Sequence, residues 1–107
     1  MTLSNHEPVR VVALYKFARL GDFEALRVLR TPLAAFCCGR GIKGTLLLAQ
    51  EGINGTVAGS DTDIADLIAY LESIEGLADL EVKYSHAAEM PFHRMKVRIK
   101  REIVTMG

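Results

Sequence analysis

With 107 residues, 50% of them apolar, the chain is long enough for one domain with a modest core and little else. No run approaches the roughly 18 continuous apolar residues of a membrane span, and the start lacks the basic-then-apolar order of a secretory signal, so the cytoplasm is the expected compartment. Lys plus Arg and Asp plus Glu both total 13, so the net charge says nothing about partners, but its distribution does. Every charged residue from Ser60 to Glu81 is acidic, whereas every one between His93 and Arg101 is basic.

Residues 1–8 are polar and read as a flexible entry, with Pro8 favouring extended backbone. Val9 to Ala18 reads as a strand with Val11, Ala13, Tyr15 and Phe17 on one side and Arg10, Val12, Leu14 and Lys16 on the other. Both faces carry apolar residues, as in a central strand with two covered faces or with one face used for binding. Asp22 is placed to cap a helix in which Leu26, Leu29, Leu33, Phe36 and Cys37 recur at helical spacing. Pro32 interrupts that pattern and leaves open whether the helix breaks there into two segments, Phe23 to about Arg30 and a second starting at the proline. The adjacent Cys37 and Cys38 match neither a two-residue-spaced redox pair nor a zinc-site spacing and read as reduced, half-buried helix cysteines.

Thr45 to Gln50 reads as a buried strand. In Glu51 to Gly59, Asn54-Gly55 is a strong turn signal, so Gly52, Asn54, Gly55 and Gly59 are expected to shape a tight turn before a short strand, Thr56 to Ala58. Exposed amides in such a turn can also cradle an anion, although the stretch has neither the Walker spacing nor the dinucleotide fingerprint. Ser60 and Thr62 are candidate caps for a helix to about Ile74, with Ile64, Leu67, Ile68 and Leu71 on one stripe and Asp63, Asp66, Glu72 and Glu75 in water. Leu80 to Ser85 and Arg94 to Lys100 complete the strands. In the last, Met95, Val97 and Ile99 face one way and Arg94, Lys96, Arg98 and Lys100 the other.

This order predicts an α+β domain over residues 9–102. It is a ferredoxin-like, acylphosphatase-like split β-α-β arrangement whose antiparallel sheet carries two helical crossovers on one face, with room for one extra strand. The apolar ending, residues 103–107, reads as the start of a linker to a further domain.

Signs of catalysis are sparse. The three histidines, His6, His86 and His93, and the acids of the second helix form no convincing acid–base pair or metal set, so no metal or catalytic residue is assigned. The basic strand is more informative. Its successive outward side chains lie about 6.7 Å apart, a spacing suited to phosphates along a nucleic-acid strand. Lys96, Arg98 and Lys100, with His93, Arg94, Lys16, Arg19 and Lys83, are the candidate RNA contacts, and Tyr15 or Tyr84 would stack on bases if exposed. The competing readings are docking onto an acidic neighbouring domain and a plainly solvated face.

Three stretches carry a family resemblance: Ala13 to Phe17, Gly44 to Gly59 without Gln50, and Phe92 to Gly107. Together they resemble the amino-terminal domain of bacterial tRNA uridine hydroxylases, proteins with a rhodanese-like domain that install oxygen at position 5 of the wobble uridine. The resemblance implies tRNA and a C-terminal rhodanese-like domain in cis as partners, molecular oxygen as a substrate of the whole protein, and no cofactor in this portion. It also implies that the catalytic cysteine lies beyond Gly107. A weaker likeness is to acylphosphatases, which would need an arginine and an asparagine converging on a phosphate; Arg19 and Asn54 are the candidates.

Overall fold

The computed structural model describes residues 9–100. In chain order it comprises β1 (Val9–Phe17), α1 (Phe23–Gly39), β2 (Lys43–Ala49), β3 (Gly52–Gly59), α2 (Asp61–Glu72), β4 (Glu81–Ala87) and β5 (Met95–Lys100). The sheet order is β4-β1-β3-β2-β5. Among the first four strands each neighbouring pair is antiparallel, which is the ferredoxin-like arrangement, and β5 adds to β2 in parallel, so the whole sheet is mixed. β4 and β5 occupy opposite edges, about 19 Å apart at four strand spacings, and residues 88–94 bridge them as a long connection through Pro91. The boundaries expected at residues 1–8 and 103–107 lie outside the described residues.

One sheet face holds the core. Val12 and Leu14 of β1, Leu46 and Leu48 of β2, and Ile53 and Val57 of β3 are buried beneath Leu26, Leu33 and Cys37 of α1 and Ile64, Leu67 and Leu71 of α2. Both helices start where short polar side chains permit. Asp22 Oδ1 accepts a hydrogen bond from the Ala25 amide at 3.0 Å, and Ser60 Oγ accepts one from the Asp63 amide at 3.0 Å.

The structure resolves the alternative left open at Pro32 and corrects one sequence expectation. α1 runs unbroken from Phe23 to Gly39 with Pro32 inside it. An interior proline costs about 3 kcal/mol. Fully burying a single leucine contributes about 1.5–3 kcal/mol, and Leu26 and Leu33, on either side of the proline, are both fully buried. Packing on the sheet therefore outweighs the local defect, and the exposed ring of Pro32 interferes with no neighbour across the core.

The correction concerns the glycine-rich stretch. The hairpin turn is at Gln50-Glu51, with Ala49 opposite Gly52, and Asn54-Gly55 lies in mid-strand. β3 is paired along both edges, Asn54 with Tyr15 on one side and Leu47 on the other, so its amides are spent in ladders and form no anion cradle. The local turn preference of Asn-Gly yields to a register that buries Ile53 and Val57 together. The glycines serve close approach. A Cβ on Gly55 would strike the Thr45 carbonyl oxygen, and one on Gly52 the Lys16 carbonyl oxygen. Both adopt positive φ, 158° and 149°, which side-chain-bearing residues avoid.

The acids of α2 are less solvated than their spacing implies. Asp61 Oδ1 pairs with Arg10 Nε at 2.9 Å, and Asp66 Oδ2 and Asp63 Oδ1 share Arg40 Nη1 at 2.8 and 3.4 Å. Arg40 also lies over Phe36, 4.5 Å from the ring centre, and Phe36 stacks on Tyr70 at 4.8 Å, closing the outer seam between the helices.

Candidate nucleic-acid interface

The strands bury one set of alternate residues under the helices and turn the other set outward. Strand register assembles the outward set into rows. One row runs Lys83, Ala13, Thr56, Thr45, Lys96; the next runs Glu81, Tyr15, Asn54, Leu47, Arg98; a third runs Phe17, Gly52, Ala49, Lys100. The face therefore has a basic border on β5, a polar centre and an aromatic pair on β1.

Tyr15 and Phe17 are 51% and 74% exposed. Their ring centres are 6.2 Å apart at an interplanar angle of 65°, an edge-to-face pair. Three strand spacings, about 14 Å, separate β1 from β5. Lys96, Arg98 and Lys100 are exposed, and no ion pair among the described residues engages them.

The remaining candidates divide by position. His93 and Arg94 line a shallow pocket of about 230 Å³ with Gly44, Thr45, Phe92 and Lys96, and the Arg94 carbonyl accepts a hydrogen bond from the Gly44 amide at 2.8 Å, which holds this loop against β2. Lys83 lies across the same face on β4. Arg19 lies beyond the end of β1, in a pocket of about 260 Å³ with Phe17, Ala18, Gln50 and Glu51. Lys16 is opposite Ile53 on the helix-covered side, apart from the basic border. Tyr84 is also on that side, opposite Val12 and beneath the Arg10 guanidinium at 4.9 Å. Two members of the open face were not singled out from sequence. Phe17 shared the parity of Tyr15 and was identifiable on that basis; Lys43 joins the face only because β2 begins two residues before the expected Thr45.

The acylphosphatase-type constellation does not assemble. Asn54 is level with Tyr15, and Arg19 follows Tyr15 by four residues, roughly 13 Å of extended chain. In the loop between β1 and α1, the Ala18 and Leu20 amides donate to the Glu51 and Gln50 carbonyls at 2.9 Å each, and Asp22 occupies the start of α1. An incoming anion would meet a carboxylate and used amides. Nor does Cys37 offer a nucleophile, because burial, reinforced by Cys38, pushes its thiol up to about 12. Among the described residues, no three His, Cys, Asp or Glu side chains cluster to hold a metal, and no helix is long and apolar enough to cross a membrane.

The family model described as the UPF0176 acylphosphatase-like domain matches residues 9–103. The chain belongs to this family. Among curated relatives of this acylphosphatase-like domain, the tRNA uridine(34) hydroxylase of Mesorhizobium japonicum is 75% identical over 101 residues, covering 94% of this chain and 32% of that protein. The tRNA uridine(34) hydroxylase of Brucella ovis is 66% identical over 100 residues, again 94% of this chain and 32% of the relative. The chain thus spans about a third of the length of the curated relatives it matches. Among solved structures, the dark-state BLUF protein BlrB superposes with a TM-score of 0.72 at 17% identity, covering 88% of this chain and 73% of that one. An acylphosphatase from Bacillus subtilis superposes at 0.61 and 12%, covering 83% of this chain and 97% of its own. At such identities these two likenesses concern the fold alone.

Proposed function

We propose that this domain is the tRNA-engaging portion of a tRNA uridine(34) hydroxylase and that it holds the substrate through its open sheet face. The observation that carries the reading is the row of cations on β5, unpaired among the described residues, facing the same way as the exposed Tyr15 and Phe17. Cations along β5 supply salt-dependent attraction to backbone phosphates without reading sequence. Aromatic rings on an open antiparallel sheet accept unstacked bases. A single-stranded segment crossing from β5 to β1 would place its backbone on the first and its bases on the second. The anticodon loop, which contains position 34, has that unpaired character.

The oxygen-dependent 5-hydroxylation belongs, in this proposal, to a rhodanese-like domain in the rest of the protein. This chain supplies position and affinity. The exposed aromatic pair also favours a second reading, in which the same face packs against that domain and only sets its orientation.

The test uses the complete protein carrying Lys96→Ala, Arg98→Ala and Lys100→Ala together. Binding of tRNA is expected to weaken roughly tenfold or more at low salt, and the slope of log affinity against log salt to fall by about 2–3. Phe17→Ala is expected to weaken binding by about 1–3 kcal/mol with little change in that slope, since stacking releases no counterions. Unchanged affinity and slope in folded variants would sink the RNA reading. A loss of whole-protein stability with tRNA binding intact would select domain docking.

A further inference from the structure

β5 is an edge strand with a second side. Across it from the open face, Phe23, Arg27, Arg30 and Thr31 of α1 and Ile99 of β5 enclose a cleft of about 340 Å³. Arg27 and Arg30 are three residues apart and so share one helix face. Both are exposed, and neither enters an ion pair among the described residues. The contrast with α2 is direct, because Arg10 and Arg40 are engaged by Asp61, Asp63 and Asp66. α1 carries a single acid, Glu24, in its first turn.

Ile99 lines this cleft, while its chain neighbours Arg98 and Lys100 point to the opposite face. Among the described residues, no strand pairs with the outer edge of β5. The edge is therefore a ridge with cations on both flanks. Guanidinium groups present planar, forked donors that match phosphate oxygens, and the Thr31 hydroxyl adds a further donor beside them.

We propose that Arg27, Arg30 and Thr31 form a second phosphate-binding site, and that the RNA backbone bends round β5 from the open face onto α1. The path rests on the reading that the open face binds RNA. The ligand chemistry is a phosphate group, and its source is the polynucleotide backbone already lying on Lys96, Arg98 and Lys100.

The experiment measures tRNA binding across a salt series for the complete protein, its Arg27→Ala/Arg30→Ala variant and the β5 triple variant. The double variant is expected to bind several-fold to thirtyfold more weakly at low salt, with the salt slope reduced by about 1.4–1.8 for two lost phosphate contacts. Arg27→Lys/Arg30→Lys is expected to keep the slope and recover only part of the affinity, because ammonium groups keep the charge and lose the fork. An unchanged slope and affinity in the folded double variant overturns the second site, and the open-face reading survives if the triple variant still binds weakly. An effect of the double variant with none from the triple variant overturns the path round β5 and the open-face reading together. Saturation of the cleft by millimolar inorganic phosphate, with tRNA binding unaffected by the double substitution, would assign it to a small phosphate ligand and overturn the RNA path. Reduced stability of the whole protein with tRNA binding intact would put an acidic segment of the same protein in the cleft, and this too would overturn the RNA path.

Discussion

The two faces of the sheet are made by the same strands and could hardly differ more. On one, Val12, Leu14, Leu46, Leu48, Ile53 and Val57 are sealed beneath two helices; on the other, residues one position away in the chain are Ala13, Tyr15, Thr45, Leu47, Asn54 and Thr56. Part of the charge follows this division, Arg27 and Arg30 of α1 excepted, since neither enters an ion pair among the described residues. Arg10 and Arg40, on the helix side, are neutralised by acids of α2, whereas Lys96, Arg98 and Lys100 meet no acid among the described residues. The difference shows that a neutral chain can keep a strongly basic surface if its acids are spent on its own helices' neighbours.

The largest effect is expected from a change that prevents the two faces from forming. Gly55→Ala would drive a Cβ into the Thr45 carbonyl at a positive-φ position, and a loss of at least about 4 kcal/mol is expected in urea denaturation. Wild-type stability in this variant would mean that the strands need not approach so closely.

Adjacent residues of β2 sharpen the comparison at smaller scale. Leu46→Ala is expected to cost about 2–5 kcal/mol, because its side chain is fully buried, and Leu47→Ala less than about 1.5 kcal/mol, because its side chain lies on the open face. Equal losses would indicate that the second face is covered as well, as the docking reading requires in the complete protein.

The smallest effect at neutral pH concerns Cys37 on the covered side. Its folded thiol titrates near 12 against an ordinary value of 9.0, so the unfolded chain loses this proton first. The stability contributed by the neutral buried thiol is fully present below about pH 9 and is lost as pH rises from there toward about 12. Cys37→Val is expected to remove that part of the alkaline slope in denaturation measured at stepped pH. In the native protein a thiol reagent is expected to modify Cys38 and spare Cys37. An unaltered alkaline slope in the Cys37→Val variant would place its origin elsewhere.

Much of this was legible from local pattern. The alternation in Arg94 to Lys100 identified a strand with one basic face, and the spacing of Ile64, Leu67, Ile68 and Leu71 identified α2 and its buried stripe. Local pattern fell short where a local preference opposed long-range pairing. Asn54-Gly55 prefers a turn, but its neighbours gain two ladders and a buried Ile53 and Val57 by staying extended. Pro32 disfavours a helix, but the leucines around it have a sheet to cover. Lys16 looked like part of the basic surface until the register set it opposite Ile53.

By itself the sequence determined the order of helices and strands and which residues share a side of most of them, because those properties depend on near neighbours and on the periods of 3.6 and 2. Only the tertiary structure decided that the aromatic side of β1 faces outward, that it shares a face with the cations of β5, and which arginines are already paired. These depend on strand order and on contacts between residues distant in the chain. The glycine-rich stretch shows where the two meet: its glycines were conspicuous in sequence, and three-dimensional pairing made them the close-packed middle of the sheet.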